Sequence, residues 1–238
     1  MLSSDALARH DLVWLDATGL VIECNPRWPD EADIVGDWLS QGRPLVVTRR
    51  PSDMPPNYCA LGLPLPVRLG KRRIALQART GAIREVRRPP ALSQVMATAP
   101  ADWRQALQAL DRLARNANIR LRVYGSMAWQ FLTGETYVTS ASDVDVLWQP
   151  LSLADLERGV AMLSAWEGRS GIRADGEILL PDGSGISWRE WSHGSRVVLI
   201  KRNDGVAMHP AKDLWQLFNT GMECKSHSRR CASLRNAQ

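Results

Sequence analysis

Cysteine is scarce: Cys24, Cys59, Cys224 and Cys231 are the only four among 238 residues. They are too few and too scattered for a disulfide framework. No apolar run approaches the roughly 18–20 residues that a bilayer-spanning helix needs. The opening stretch MLSSDALARHDLVW has no basic start followed by an apolar segment, so it does not read as a secretory signal. These absences predict a protein of the reducing cytoplasm with no membrane partner. No internal repeat is visible, and G-x-S-x-G does not occur, which removes a nucleophile-elbow hydrolase. Cys224-x-x-His227-x-x-x-Cys231 offers three metal ligands, one short of a structural zinc site.

What is present is ordinary in bulk, with 45% apolar and 23% charged residues, as expected of a globular chain with a full core. The net charge of +5 is unevenly placed. Arg68 to Arg88 holds eight basic residues against Glu85 alone, and Met222 to Gln238 holds four against Glu223. The remainder is net acidic. An acidic body with two basic patches suits a phosphorylated ligand or an acidic protein at least as well as a polynucleotide.

Pattern divides the chain at Pro89-Pro90. Before it lie short strands, at Leu12–Leu15, Pro44–Thr48 and KRRIALQA, with a short helix over Asp30–Leu39 and several proline breaks. After it, apolar residues at helical spacing predict a helix over Ala101–Asn116. A strand over Ile119–Tyr124, a short helix over Ser126–Leu132 and a strand over Val144–Trp148 follow. Ser152 caps a predicted helix running to about Trp166. Strands are expected at Ile172–Leu180, Gly185–Trp191 and Arg196–Lys201, then a helix over Pro210–Phe218 with Pro210 in its first turn. The expected fold is α+β, with a smaller, mainly β domain at 1–90 that docks a substrate or partner, a larger domain at 91–221, and a basic tail at 222–238.

The chemistry concentrates in VYGSMAWQFLTGETYVTSASDVDVLW. Asp143 and Asp145 lie two apart on a predicted strand, so both carboxylates point to one face. Adjacent anions repel unless cations neutralise them. Carboxylates at this spacing suit Mg2+, which shares a few such oxygens with substrate phosphates. Gly125-Ser126 ends a strand and opens a helix, presenting backbone N–H groups and a hydroxyl to a phosphate. Asp175 and Glu177, in RADGEILL, are likewise two apart on a predicted strand, so both carboxylates can share a face. Lys201, ending VVLIK, is a candidate phosphate contact.

In that order, strand, Gly-Ser, helix and Asp-x-Asp strand, the chain resembles the nucleotidyltransferase superfamily of the DNA polymerase β type. The departure is spacing, with sixteen residues between Ser126 and Asp143. GSMAWQFLTG, SDVDVLW, DGEILLPDGSGISWREW and VLIKRNDGVAM, with HDLVWL, PLVVTRR, LGLPLP and KRRIAL upstream, resemble the phosphoribosyl-dephospho-CoA transferases, holo-acyl-carrier-protein synthases of malonate decarboxylase. The likeness covers most of Asp11 to Phe218, whereas the ending after Gly221 departs from it.

That resemblance implies a polymerase-β-like catalytic domain and a donor, 2′-(5″-triphosphoribosyl)-3′-dephospho-CoA. The acceptor it implies is a serine of the apo acyl-carrier protein of malonate decarboxylase, and pyrophosphate leaves. Asp143, Asp145 and Asp175 are then expected to hold Mg2+, with Asp175 or Glu177 taking the serine proton. Gly125, Ser126 and Lys201 are expected to meet phosphates. Two rival readings share parts of this pattern: a nucleotidyltransferase using an ordinary nucleoside triphosphate, and a non-catalytic basic protein that binds RNA or another partner.

Overall fold

The computed structural model describes residues 7–16, 27–216 and 218, and in it the chain builds two β-sheets, one from residues before Pro89-Pro90 and one from residues after. The first sheet contains β1 (Leu12–Leu15), β2 (Leu45–Val47), β3 (Tyr58–Pro64), β4 (Arg73–Arg79) and β5 (Ile83–Arg87). Its order is β4-β3-β2-β1-β5, and every neighbouring pair is antiparallel. Alternation explains why RIALQAR sits here: Ile74, Leu76 and Ala78 are buried, while Arg73, Ala75 and Arg79 face out. Helix α1 (Glu31–Ser40) covers this sheet through Val35 and Trp38, and the Trp38 indole donates to the Pro44 carbonyl at 2.8 Å.

The second sheet is mixed. It holds β6 (Arg122–Val123), β7 (Val144–Trp148), β8 (Ala174–Leu179), β9 (Gly185–Ser187), β10 (Val197–Lys201) and β11 (Val206–Pro210), in the order β11-β10-β9-β8-β7-β6. Only β7 and β8 are parallel, and α5 (Leu153–Ser170) makes the crossover between them. Ser152 caps α5 by accepting from the Asp155 amide at 3.1 Å, and Gly171, in the left-handed region, ends it. Gly176 has φ +135, and a Cβ there would lie 1.9 Å from the Val146 carbonyl oxygen. Only glycine lets β8 run against β7 at this point.

Helix α2 (Leu92–Val95), α3 (Ala101–Asn116), α4 (Gly125–Thr133) and α6 (Trp188–Ser192) complete the second half. Leu107, Leu110 and Ala114 form the buried stripe of α3, which packs on α5, and the Trp166 indole donates to the Ala106 carbonyl. There are two apolar cores, and α4 belongs to both. Its Met127 and Ala128 pack in the second core, whereas Trp129, with Tyr137 beyond the helix, packs in the first beside Trp38. The seam between the two halves therefore runs along α4. No helix among the described residues is long and apolar enough to cross a membrane.

The departures from expectation are local. GISWREW is not one strand: β9 ends at Ser187, and Trp188, buried and under Arg189, begins α6. Pro210 closes β11 instead of opening a helix, and Ala211–Asp213 form a single 3-10 turn. Strand β11 itself was not expected, because its sequence VAMHP alternates only between exposed and half-buried positions. The strand expected over Ile119–Tyr124 shortens to Arg122–Val123. Cys24, the Cys224–Cys231 segment and the basic tail lie outside the described residues. Cys59 is buried and unpaired, with its thiol pushed up to about 11 by burial.

Candidate active site at the seam between the sheets

Strand β7 begins one residue after Asp143, so Asp143 and Asp145 flank the buried Val144 and share the opposite face. In the parallel pairing, Asp175 is the register partner of Asp145. The side chains of Asp143, Asp145 and Asp175 are therefore gathered at one end of β7 and β8. Arg173 lies over the outer pair, 3.9 Å from Asp143 and 3.4 Å from Asp175. Asp145 is deeper and has no hydrogen bond or ion pair to its carboxylate among the described residues. Burial, then the charges of Asp143 and Asp175, push its carboxyl up to about 7, and Arg73 offsets this only in part.

The start of α4 closes over that carboxylate. Tyr124 pairs back through its amide to the Asp145 carbonyl at 3.1 Å, and Gly125 then turns the chain with φ +65. A Cβ on Gly125 would stand 1.8 Å from Asp145 Oδ2. Glycine is required twice over here, by the left-handed backbone and by the carboxylate against it. Ser126 follows in the first turn, where helix N–H groups have no intrahelical acceptor. Gly125, Ser126 and Asp145 all line one cavity of about 590 Å3, whose far wall is the first sheet, with Arg49, Lys71 and Arg73 on it. A separate cavity of about 460 Å3, lined in part by Arg50, Cys59, Asp182 and Asn203, contains none of the predicted site residues.

The second carboxylate of β8 is employed differently. Glu177 is buried and accepts from Arg9 at 2.9 Å and from Lys201 Nζ at 2.9 Å, with His10 Nε2 at 3.2 Å. Burial opposes its ionisation, but the His10 hydrogen bond, the His10 and Arg9 charges and the Lys201 hydrogen bond outweigh it. They hold the carboxyl well below the usual range. Lys201, expected as a phosphate contact, thus spends its ammonium on Glu177. Of the two candidates for a third carboxylate, Asp175 stands beside Asp145, and Glu177 ties the N-terminal segment to the second sheet. Asn203 reinforces that tie, accepting from the Arg9 amide and donating to the Leu7 carbonyl.

Glu177→Ala leaves Arg9, Lys201 and the His10 ring around an empty buried position, which costs about 3 kcal/mol. The expected result is a thermal midpoint lower by roughly 6–12 °C; calorimetry showing under 2 °C would refute the tie.

Three neighbours of the site were not picked out from the sequence. Arg9 and His10 reach it only because β1 carries them across the seam, 168 and 167 positions from Glu177. Tyr124 stacks on His10 with ring centroids 4.1 Å apart, and burial with the charges of Glu177, Asp145 and Asp175 pushes its phenol up. The one local signal was HDLVWL, where a histidine precedes a strand.

Comparison with known proteins accords with this geometry. The phosphoribosyl-dephospho-CoA transferase MdcG N-terminal domain model matches residues 8–89, and the MdcG C-terminal domain model matches residues 91–212. A phosphoribosyl-dephospho-CoA transferase of Xanthomonas campestris pv. campestris (strain 8004) is 40% identical over 87% of this chain and 96% of its own. One from Bradyrhizobium diazoefficiens is 39% identical over 84% of this chain and 88% of its own. Another, from Pseudomonas putida (strain W619), is 29% identical over 88% and 95%. No solved structure matches the chain. With both domain models matched in order and such relatives spanned almost end to end, the chain belongs to the phosphoribosyl-dephospho-CoA transferase family and is a transferase.

Proposed function

We propose that the protein transfers the phosphoribosyl-dephospho-CoA group of 2′-(5″-triphosphoribosyl)-3′-dephospho-CoA to a serine of the apo acyl-carrier protein of malonate decarboxylase. The observation that carries this reading is the unpaired Asp145 carboxylate, pressed against the Gly125 opening of α4 and facing a cavity with cations on its opposite wall. The run β6, α4, β7, α5, β8 is read as a nucleotidyltransferase core of the polymerase β type.

The residues fit Mg2+ by their chemistry. The Asp143, Asp145 and Asp175 carboxylates offer hard oxygens near one another, and the Arg173 guanidinium already lies between the outer two. No group of three or more His, Cys, Asp or Glu side chains among the described residues is close enough to hold a metal unaided. Asp143 and Asp145 would hold it, with Asp175 beside them and the remaining oxygens coming from donor phosphates and water, as is usual for this ion. When bound, Mg2+ would supply charge neutralisation at the attacked phosphorus and on the leaving group.

The chain's own groups do the rest. Gly125 and Ser126 present amide and hydroxyl donors to phosphate oxygens. Asp175 takes the proton of the serine hydroxyl as its oxygen bonds to the phosphorus next to the ribose. The bond from that phosphorus to the bridging oxygen breaks, and pyrophosphate leaves with the electron pair. The product is a phosphodiester between carrier and prosthetic group.

Intact-mass spectrometry of the apo carrier, after incubation with protein, donor and Mg2+, tests the reading. The expected result is a gain of one prosthetic group on a serine and equimolar pyrophosphate. Modification with ATP in place of the donor, and none with the donor, would replace it with ordinary nucleotidyl transfer.

A further inference from the structure

We propose that Arg49, Lys71 and Arg73, all on the first sheet or its turns, hold the triphosphate of the donor, so that the N-terminal half selects the donor and not the carrier. This rests on the transferase reading and adds to it a binding role for residues far from the Asp-x-Asp strand.

Half of the basic residues in the stretch Arg68–Arg88 are ion-paired. Arg68 pairs with Glu135, Arg72 with Asp30, Arg87 with Glu85 and Arg88 with Asp11, while Arg79 donates to the Tyr58 hydroxyl. Among the described residues, Lys71, Arg73 and Arg84 have no such partner, and neither does Arg49 at the end of β2. Of these four, Arg49, Lys71 and Arg73 line the cavity that holds Asp145, and Arg84 does not. The Arg73 charge already acts on the Asp145 carboxyl. The roles are separate: Arg72 is taken up by Asp30, and its two neighbours line the cavity.

Their position is fixed from the other half of the molecule. The turn between β3 and β4 is bolted to the segment after α4 by the Val67 amide on the Thr136 carbonyl at 2.9 Å, and by the Tyr137 hydroxyl on the Pro64 carbonyl at 3.1 Å. Glu135 adds a clamp, accepting from Arg43 at 2.7 Å and from Arg68 at 2.5 Å. Lys71 itself has φ +52, a left-handed conformation that glycine would adopt without cost. Anchoring of this kind fixes the backbone that carries Lys71 and Arg73, so only their side chains have to be ordered when a polyanion arrives.

Size decides between donor and carrier. A cavity of about 590 Å3 admits a triphosphate and not a folded protein. The carrier must meet the outer surface, where Arg68, Arg72, Arg87 and Arg88 are ion-paired.

The test compares Lys71→Met and Arg73→Met with Arg84→Met, which removes the same charge outside the cavity. KM is measured for donor at saturating carrier and for carrier at saturating donor, and binding of inorganic tripolyphosphate is measured by calorimetry. Each cavity variant is expected to raise donor KM and the tripolyphosphate Kd about tenfold, with carrier KM within twofold and Arg84→Met unchanged. A rise in carrier KM alone, or an equal effect of Arg84→Met, overturns the proposal. A wild-type protein that loads no carrier, yet loses tripolyphosphate affinity in the two variants, would overturn the transferase reading and leave the anion site standing.

Discussion

Asp145→Asn is expected to lower prosthetic-group transfer by about three orders of magnitude or more, while making the protein harder to unfold. Both effects have one cause. The Asp145 carboxylate is desolvated and repelled by Asp143 and Asp175, with its carboxyl pushed up to about 7 and no ion pair to relieve it. Folding must tolerate an anion that only a substrate complex neutralises, a familiar trade of stability for activity. Asparagine keeps the shape and removes the charge.

The sign with pH follows from the raised value. Above pH 7 the wild-type carboxylate is charged and destabilising, so Asn gains roughly 1–2 kcal/mol there without added divalent cation. Toward pH 5 the wild-type carboxyl takes up its proton in the fold, and the difference shrinks. Denaturant melts at pH 8 and pH 5, beside a transfer assay, read both effects. Near-normal transfer, or a loss of stability at pH 8, would remove Asp145 from the centre of the site. Asp143→Ala is expected to share the loss of transfer with a smaller gain in stability, since Asp143 is more open and already faces Arg173.

Gly125→Ala is the second large effect, and it isolates geometry from charge. The added methyl would have to occupy a point 1.8 Å from Asp145 Oδ2, so either the carboxylate or the start of α4 moves. A displacement of about 1 Å at a reacting group costs on the order of a hundredfold in rate. The backbone also resists, because φ +65 is unfavourable for alanine by about 1–2 kcal/mol.

Gly134→Ala separates the two contributions. Gly134 ends the same helix with φ +72, but nothing lies within 4 Å of its would-be Cβ. It should lose comparable stability and keep most of its activity. Equal activity in the two variants would show that the contact between Gly125 and Asp145 does not matter for transfer.

These two positions also show what was legible in advance. Asp145 and Gly125 belong to segments of strong local pattern, an Asp-x-Asp within VDVLW and a Gly-Ser between a strand and a helix. Period and turn chemistry place such residues without reference to the rest of the chain. The helix over Ala101–Asn116 was legible for the same reason, and so was the Ser152 cap. Strand β9 and Pro210 were not. Trp188 leaves the strand because its indole is buried under Arg189, and Pro210 is tolerated at the end of the edge strand β11, where its missing N–H costs nothing.

The sequence by itself determined the order of the elements around Gly125 and Asp145, because these depend on neighbours within a few residues. Only the tertiary structure separates the surroundings of Asp175 from those of Glu177, which lie two apart on one strand. Glu177 is neutralised by Arg9, His10 and Lys201, brought to it from distant segments by β1 and β10. Asp175 is left beside Asp145 with the exposed Arg173 and the adjacent Gly176 amide. The same holds for the basic stretch Arg68–Arg88, where long-range pairing silences Arg68, Arg72 and Arg88 and leaves Lys71 and Arg73 on the cavity wall. Charge can be counted in a sequence, but its effect depends on which opposite charges the fold sets within a few ångströms.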